Sequence, residues 1–403
     1  MTPFDLEVRP GSGAANAARI AIVGAGLSGS LAAVVLARAG HHVTLIDKHL
    51  VFPKQFRVEK IAGGQLDLMR KLGVLDGIAA EATPFEDIIN VRDGRIVDRT
   101  RDLHLGILYE DIVRIVRGQL PASVESIIGE VVDIQTSRLN QTISLSSGGS
   151  VSADLIVLAT GMAPLLCHKL GIGRRIVAEK QSITFGFTLG SDSKRAKIFR
   201  SLTYYGTGDS NFIDYLTLFP IGSDLRANLF TFIDHDHPWI RELRRDTAGA
   251  LFKSLPGLAE FVEEIKPIDR VQNWVMDLSI AQNVDQDGVV LIGDSFQTSC
   301  PAAGTGVTRL LTDIDRLCNT FIPQWLKTPG MGKDKISEFY TDPVKRAVDV
   351  EALNMAHYRR SLTVSRSLRW DLYRRQHFAR RRLSGWLNRA SAPRQSTAPG
   401  RAG

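Results

Sequence analysis

Cysteine is scarce in this chain. Cys167, Cys300 and Cys318 are spread over 403 residues with no C-x-x-C spacing, which argues against a disulfide framework or a metal site and points to a reducing, cytoplasmic compartment. No secretory leader is visible, because the stretch before Ile20, MTPFDLEVRPGSGAANAAR, has no apolar core. Internal repeats are also missing, so solenoid architectures are excluded. Acids are rare at the C-terminal end: from Pro343 to Gly403 there are 14 Lys and Arg against 3 Asp and Glu. The first 342 residues carry 36 basic against 40 acidic residues, so the net charge of +7 belongs to the tail. A basic nucleic-acid-binding body is therefore not expected. With 44% hydrophobic and 23% charged residues, the rest reads as an ordinary globular protein with room for more than one domain.

One run does lack charge. Ile20 to Ala37, IAIVGAGLSGSLAAVVLA, is almost long enough to span a bilayer. Its composition divides it into a β-branched strand, a turn with Gly24, Gly26 and Gly29, and a helix rich in Leu, Ala and Val. A second strand, HVTLID, ends on Asp47. This is the spacing of a dinucleotide-binding βαβ unit. The first glycine permits the tight turn, the second admits a pyrophosphate close to the backbone, and the third lets helix and strand pack. Free N–H groups at Leu27 and Ser28 open the helix toward the anion, and Asp47 accepts from a ribose hydroxyl, with Lys48 beside it.

A second stretch, GVVLIGDSFQTSCPAAGTGVTRLLTDIDRL, follows the same logic at residues 288–317. A buried strand delivers Gly293 and Asp294 at its C-terminal end, and a helix starts after Pro301 and Gly304, at Gly306 and Val307. Asp294 suits a polyol hydroxyl, and the helix start suits an electron-rich carbonyl. A nicotinamide site has no use for this second device so far along the chain, whereas a flavin has one. No second G-x-G-x-x-G follows a strand, so a separate nicotinamide domain is not expected. Between the two stretches, Gln65–Leu72 and 109–120 have helical period, and 88–100 reads as a hairpin turning at Asp93-Gly94. Several β-like runs fill 181–279, as in a sheet inserted into an α/β pattern.

On these residues the chain resembles the class A FAD-dependent monooxygenases of the para-hydroxybenzoate hydroxylase superfamily, from about Arg19 to about Leu317. Gly24, Gly26, Gly29 and Asp47 match the family's first FAD motif, and Arg57 falls where the family has an arginine near the pyrophosphate. Gly293, Asp294, Pro301, Gly304, Gly306 and Asp313 match the spaced pattern of the second motif. The resemblance implies an α/β fold: a Rossmann-type FAD-binding domain with an inserted, mainly β-sheet substrate domain and a C-terminal helical segment. It assigns 18–83, 103–180 and 280–330 to the FAD domain and 84–102 and 181–279 to the substrate domain. Basic helices occupy 331–390, between a flexible start at 1–17 and a disordered tail at 391–403. It also implies noncovalent FAD, NADH or NADPH as transient reductant, and O2 activated as a flavin hydroperoxide that hydroxylates an aromatic or hydrophobic small molecule.

The chain departs from the family pattern at Thr160-Gly161, where Asp-Gly is usual, and at Gln297, Thr308 and Tyr109. No catalytic base is assigned; His235, Tyr204, Tyr205 and Tyr215 fall in the expected substrate sheet. YLTLFP, Tyr215 to Pro220, partly resembles a motif of geranylgeranyl reductases, so an isoprenoid reductase is the alternative. A halogenase is disfavoured, because Trp274 stands outside any W-x-W-x-I-P segment. A membrane-associated binding module is the remaining reading. In the tail, Leu368, Leu372, Ala379, Leu383 and Leu387 share a helical face with Trp370, Tyr373, Phe378 and Trp386 nearby. That helix either packs on its own FAD domain or lies peripherally on a membrane.

Overall fold

The computed structural model describes residues 17–190, 199–206 and 212–390, without the side chains of 385–390. The expected flexible start before residue 17, the tail from 391, and the side chains of Trp386 and Leu387 therefore lie outside the described residues. A parallel five-stranded sheet has the order Val289–Leu291, Leu155–Leu158, Arg19–Val23, His42–Asp47, Glu125–Ile128. The helix Leu27–Arg38 lies against it, enclosed by the helices Tyr109–Gly118 and Gly306–Arg316. Ten of its residues are buried. This enclosure explains the uncharged run: its helix meets protein on almost every side, so a polar face would have nowhere to be solvated.

A seven-stranded sheet forms the second layer, in the order Gln272–Gln282, Gly173–Leu189, Asp224–Thr231, Ile213–Ile221, Ser201–Tyr205, Ile88–Arg92, Arg95–Thr100. The hairpin at 88–100 turns through Asp93 and Gly94, both at positive φ (52° and 66°), as a tight two-residue turn requires. The strands Gly173–Leu189 and Gln272–Gln282, which contain residues 181 and 279, pair with each other as one long antiparallel ribbon.

Strand alternation gives the seven-stranded sheet two unlike faces. Ile183, Phe185, Phe187, Leu216, Leu218, Ala227 and Leu229 point to one side and form a core with Trp239, Leu243 and Leu251 of the covering helices. Their alternate neighbours Thr184, Tyr215, Thr217, Phe219, Asn228 and Phe230 line a cavity on the other side. The two-residue period therefore separates the core from the candidate site.

The sequence leaves the C-terminal helices to pack on the FAD domain or on a membrane. Pro343–Val364 does pack on the helix Gly306–Arg316. Leu368–Ala390 instead lies on the edge strand Arg95–Thr100 of the seven-stranded sheet. Arg381 pairs with Asp98 at 2.7 Å, and Phe378 is buried between Tyr205 and the guanidinium of Arg92.

Candidate cofactor and substrate site

One cavity of about 960 Å³ runs between the two sheets. It is lined at one end by Gly24, Gly26, Leu27, Ser28, Asp47, Lys48 and Arg57. Asp294, Pro301, Gly304, Gly306 and Val307 line its middle. These twelve come from segments up to 283 residues apart in sequence. Gly29 and Gly293 do not line the cavity. Gly29 lies against the backbone of Gly24, where an added Cβ would come within 1.8 Å of the Gly24 oxygen. Gly293 adopts φ 61° beside Ser28, and its N–H donates to Asp313 Oδ2 at 2.9 Å.

The glycine-rich turn is held from three sides. Gly24 adopts φ 100°, and its N–H donates to the Ile46 carbonyl at 2.8 Å. Asp47 accepts from the N–H groups of Ala25 and His49 at 2.6 and 2.7 Å. Arg117 donates to the Ala25 carbonyl at 2.6 and 2.9 Å and to the Leu50 carbonyl at 3.0 Å. Sequence reading missed Arg117, which sits in a helix far from any motif; its only signal is a cation in the last turn of an amphipathic helix.

The helix starts at Leu27 and Gly306, both of which line the cavity, lack a side-chain cap. Gly26 caps Leu27–Arg38 with no side chain, and its Cβ position points into open space, with Phe52 nearest at 3.8 Å. Thr305 precedes Gly306–Arg316 without capping it, and its buried Oγ1 has no partner. Uncapped N–H groups at Leu27 and Gly306 beside a cavity fit a ligand with a pyrophosphate at one end and carbonyls at the other. These are the features of FAD.

Around Asp294 the charges are dense. Arg174 donates to the carbonyls of Asp294 and Ser295 at 2.6 and 3.0 Å, and so braces the turn from the long strand. Arg57 places its guanidinium 4.0 Å above the Tyr109 ring and 3.8 Å from Glu59. Burial pushes the Glu59 carboxyl above its usual range, against the pull of Arg57. Behind the turn, buried Arg309 and Lys345 face Asp313 and Asp349, with Lys345 at 2.7 and 3.0 Å from the two carboxylates. The i, i+4 pairs Arg309/Asp313 and Lys345/Asp349 are the sequence signal for this network.

Of His235, Tyr204, Tyr205 and Tyr215, only Tyr215 lines the cavity. Its hydroxyl donates to the Ala302 carbonyl at 2.9 Å, and burial raises its pKa. That bond ties the seven-stranded sheet to the Pro301–Gly304 turn. Tyr204 donates to the Pro256 carbonyl on the opposite core face, Tyr205 packs against Phe378, and His235 is exposed beside Lys180. Thr160 and Gly161 line the cavity, with the Thr160 hydroxyl 3.4 Å from that of Ser295.

Comparison with known proteins agrees with this geometry. Residues 17–118 match the family model of an FAD-binding domain, and residues 258–378 match that of squalene epoxidase. The chain is 24% identical over 310 residues to protein FixC of Salmonella typhi, covering 68% of this chain and 69% of that one. Its fold is similar to that of p-nitrophenol 4-monooxygenase PnpA from Pseudomonas putida, with a TM-score of 0.74, 16% identity, and 92% and 94% of the two chains covered. It is also similar to a variant of Klebsiella pneumoniae HpxO complexed with FAD, with a TM-score of 0.69, 16% identity, and 92% and 98% covered. The protein contains an FAD-binding domain and has the fold of the class A flavin monooxygenases. Among the described residues no helix is long and apolar enough to cross a membrane, and no cluster of His, Cys, Asp and Glu is arranged to hold a metal ion.

Proposed function

We propose that the protein is an NAD(P)H- and O2-dependent monooxygenase that hydroxylates an aromatic or otherwise hydrophobic small molecule. The observation that carries this reading is the continuity of the cavity. Its nucleotide end passes without a partition into a half walled by Phe56, Phe219, Phe230, Trp274 and Met276. The squalene epoxidase match over 258–378 supports an apolar, electron-rich substrate in that half.

In this reading the uncapped helix start at Gly26–Ser28 holds the pyrophosphate and Asp47 the ribose. Arg57 balances phosphate charge from the Tyr109 side, and Asp294 accepts from the ribityl chain. The helix start at Gly304–Val307 would hold the flavin's pyrimidine edge, where its N–H groups would favour negative charge. Bound FAD, once reduced, supplies the electrons that activate O2. The protein's part is to orient the substrate and to limit water around it, a role assigned to the aromatic wall. Purified protein is expected to be yellow and to oxidise NADH or NADPH faster when its substrate is present. With isotope-labelled O2, the label should enter the product. Saturation of an alkene without oxygen uptake would instead identify a reductase.

The exposed face of Leu368–Ala390 supports peripheral membrane contact. Leu368, Leu372 and Leu383 are 87%, 58% and 60% exposed on one stripe, between Arg375 and Arg382 on one flank and Arg369 and Arg380 on the other. Each such cation contributes about 1 kcal/mol near an anionic bilayer. Vesicles containing phosphatidylglycerol should co-sediment the protein, and neutral vesicles should not. Replacing Leu368 and Leu372 with Glu should abolish the association while leaving FAD content unchanged; association that survives would remove this face from consideration.

A further inference from the structure

Lys60 lies in the substrate half of the cavity and has no counter-charge. It occupies the strand Val58–Ala62 directly opposite Gly106 of His104–Leu108, so both face the same side of that sheet. A Cβ added to Gly106 would meet the Pro220 oxygen at 2.6 Å and the side chains of Ile221 and Phe219. That side therefore abuts the substrate sheet, and Val58, two residues before Lys60, clusters there with Phe85, Ile88 and Phe219. Lys60 thus stands where the small sheet meets the aromatic wall, and it lines the cavity.

No hydrogen bond or ion pair reaches its ammonium among the described residues. Burial alone pushes its pKa down to about 8. Its neighbours do not compensate. Arg57 has Glu59 and the Tyr109 ring. His104, lowered by burial and by Lys60, directs its Nδ1 to the Asp102 carbonyl at 2.7 Å. A half-buried ammonium without a partner in the protein is unfavourable, and the cavity offers a ligand the chance to supply one.

We propose that Lys60 is the counter-charge for an acidic hydroxyl of the substrate, a phenol or enol, which it holds as the oxyanion. This deepens the monooxygenase reading above and rests on it. The phenol O–H bond breaks, its proton leaves to solvent, and the Lys60 ammonium pairs with the phenolate that remains. The charge then raises the electron density of the ring carbons ortho and para to it, where an electrophilic oxygen is received. A single ammonium suits a single oxygen, whereas a carboxylate in so narrow a wall favours the forked donor of an arginine.

The test uses FAD-loaded protein and 4-nitrophenol, whose anion absorbs differently from the neutral phenol, at a pH below the probe's own pKa. Binding to the wild type should bring up the anion band. Lys60→Met should bind the probe about tenfold or more weakly, the range set by a charge-assisted hydrogen bond, and only as the neutral phenol. Lys60→Arg should retain the anion band, which separates lost charge from lost folding. The proposal is overturned if Lys60→Met binds and ionises the probe as the wild type does, or if the wild type binds only neutral phenol or none. It is also overturned if 4-nitrobenzoate takes the site more tightly and with the greater dependence on Lys60. An anion band without isotope incorporation into any phenol would leave Lys60 in place and refute the monooxygenase reading. Incorporation into a non-acidic substrate, with no anion band, would do the reverse.

Discussion

Gly26→Val should give a folded but colourless protein. Gly26 has φ −68° and ψ −169°, ordinary for any residue, and its Cβ position is free of contact closer than 3.8 Å. Nothing in the chain itself therefore resists the substitution, and stability should change by no more than about 0.5 kcal/mol, as at a surface position. The valine would project into the path assigned to the pyrophosphate. Overpacking there costs about 1–3 kcal/mol, or roughly tenfold to a hundredfold in FAD affinity. Gly29→Ala makes the contrast, because its Cβ would fall 1.8 Å from the Gly24 oxygen and must displace the turn. It should lose FAD and stability together. Flavin absorbance and thermal unfolding of the apoproteins separate the two outcomes, and a Gly26→Val protein that stays yellow would move the pyrophosphate elsewhere.

Lys345→Met should destabilise the protein far more than Gly26→Val. Lys345 is fully buried among Asp313, Asp349 and the rings of Phe296 and Phe339, and Arg309 balances the second negative charge. Removing the ammonium leaves two carboxylates against one guanidinium in the interior. Breaking a buried pair in this way costs about 3–5 kcal/mol. A double variant, Lys345→Met with Asp349→Asn, restores the balance and should recover part of the loss, since neighbours in one network are not additive. Because Asp313 also holds the Gly293 N–H, the single variant should bind FAD more weakly as well. Chemical denaturation of the two proteins, with FAD titration, measures both effects. Equal stability of single and double variants would show that the four charges do not act as a unit.

Much of the fold was legible because its signals are local. The strand, glycine turn, helix and strand of 20–47 lie within one short window, and each residue's role there follows from its neighbours: φ 100° at Gly24, close approach at Gly29, an acid at the strand end. The same holds for Gly293 to Asp313, and for the hairpin at Asp93-Gly94. Alternation in Ile213–Ile221 already separates Leu216 and Leu218 from Tyr215, Thr217 and Phe219.

What the sequence by itself determined is therefore the main elements and the two stretches whose residues line the cavity. Period and spacing are properties of a segment and need no partner to be read. Tertiary structure alone decided which face of the inserted sheet meets the cavity, and that Lys60 stands unpaired at its seam. It also decided that Arg117 clamps a loop 67 residues away and that Lys345 enters the charge network behind Asp294. It placed the last helix on the sheet edge rather than on the FAD domain. Each of these depends on contacts between segments far apart in the chain. A lone arginine or lysine has the same local pattern whether its partner is water, a distant carboxylate or a ligand, so only packing can choose among them.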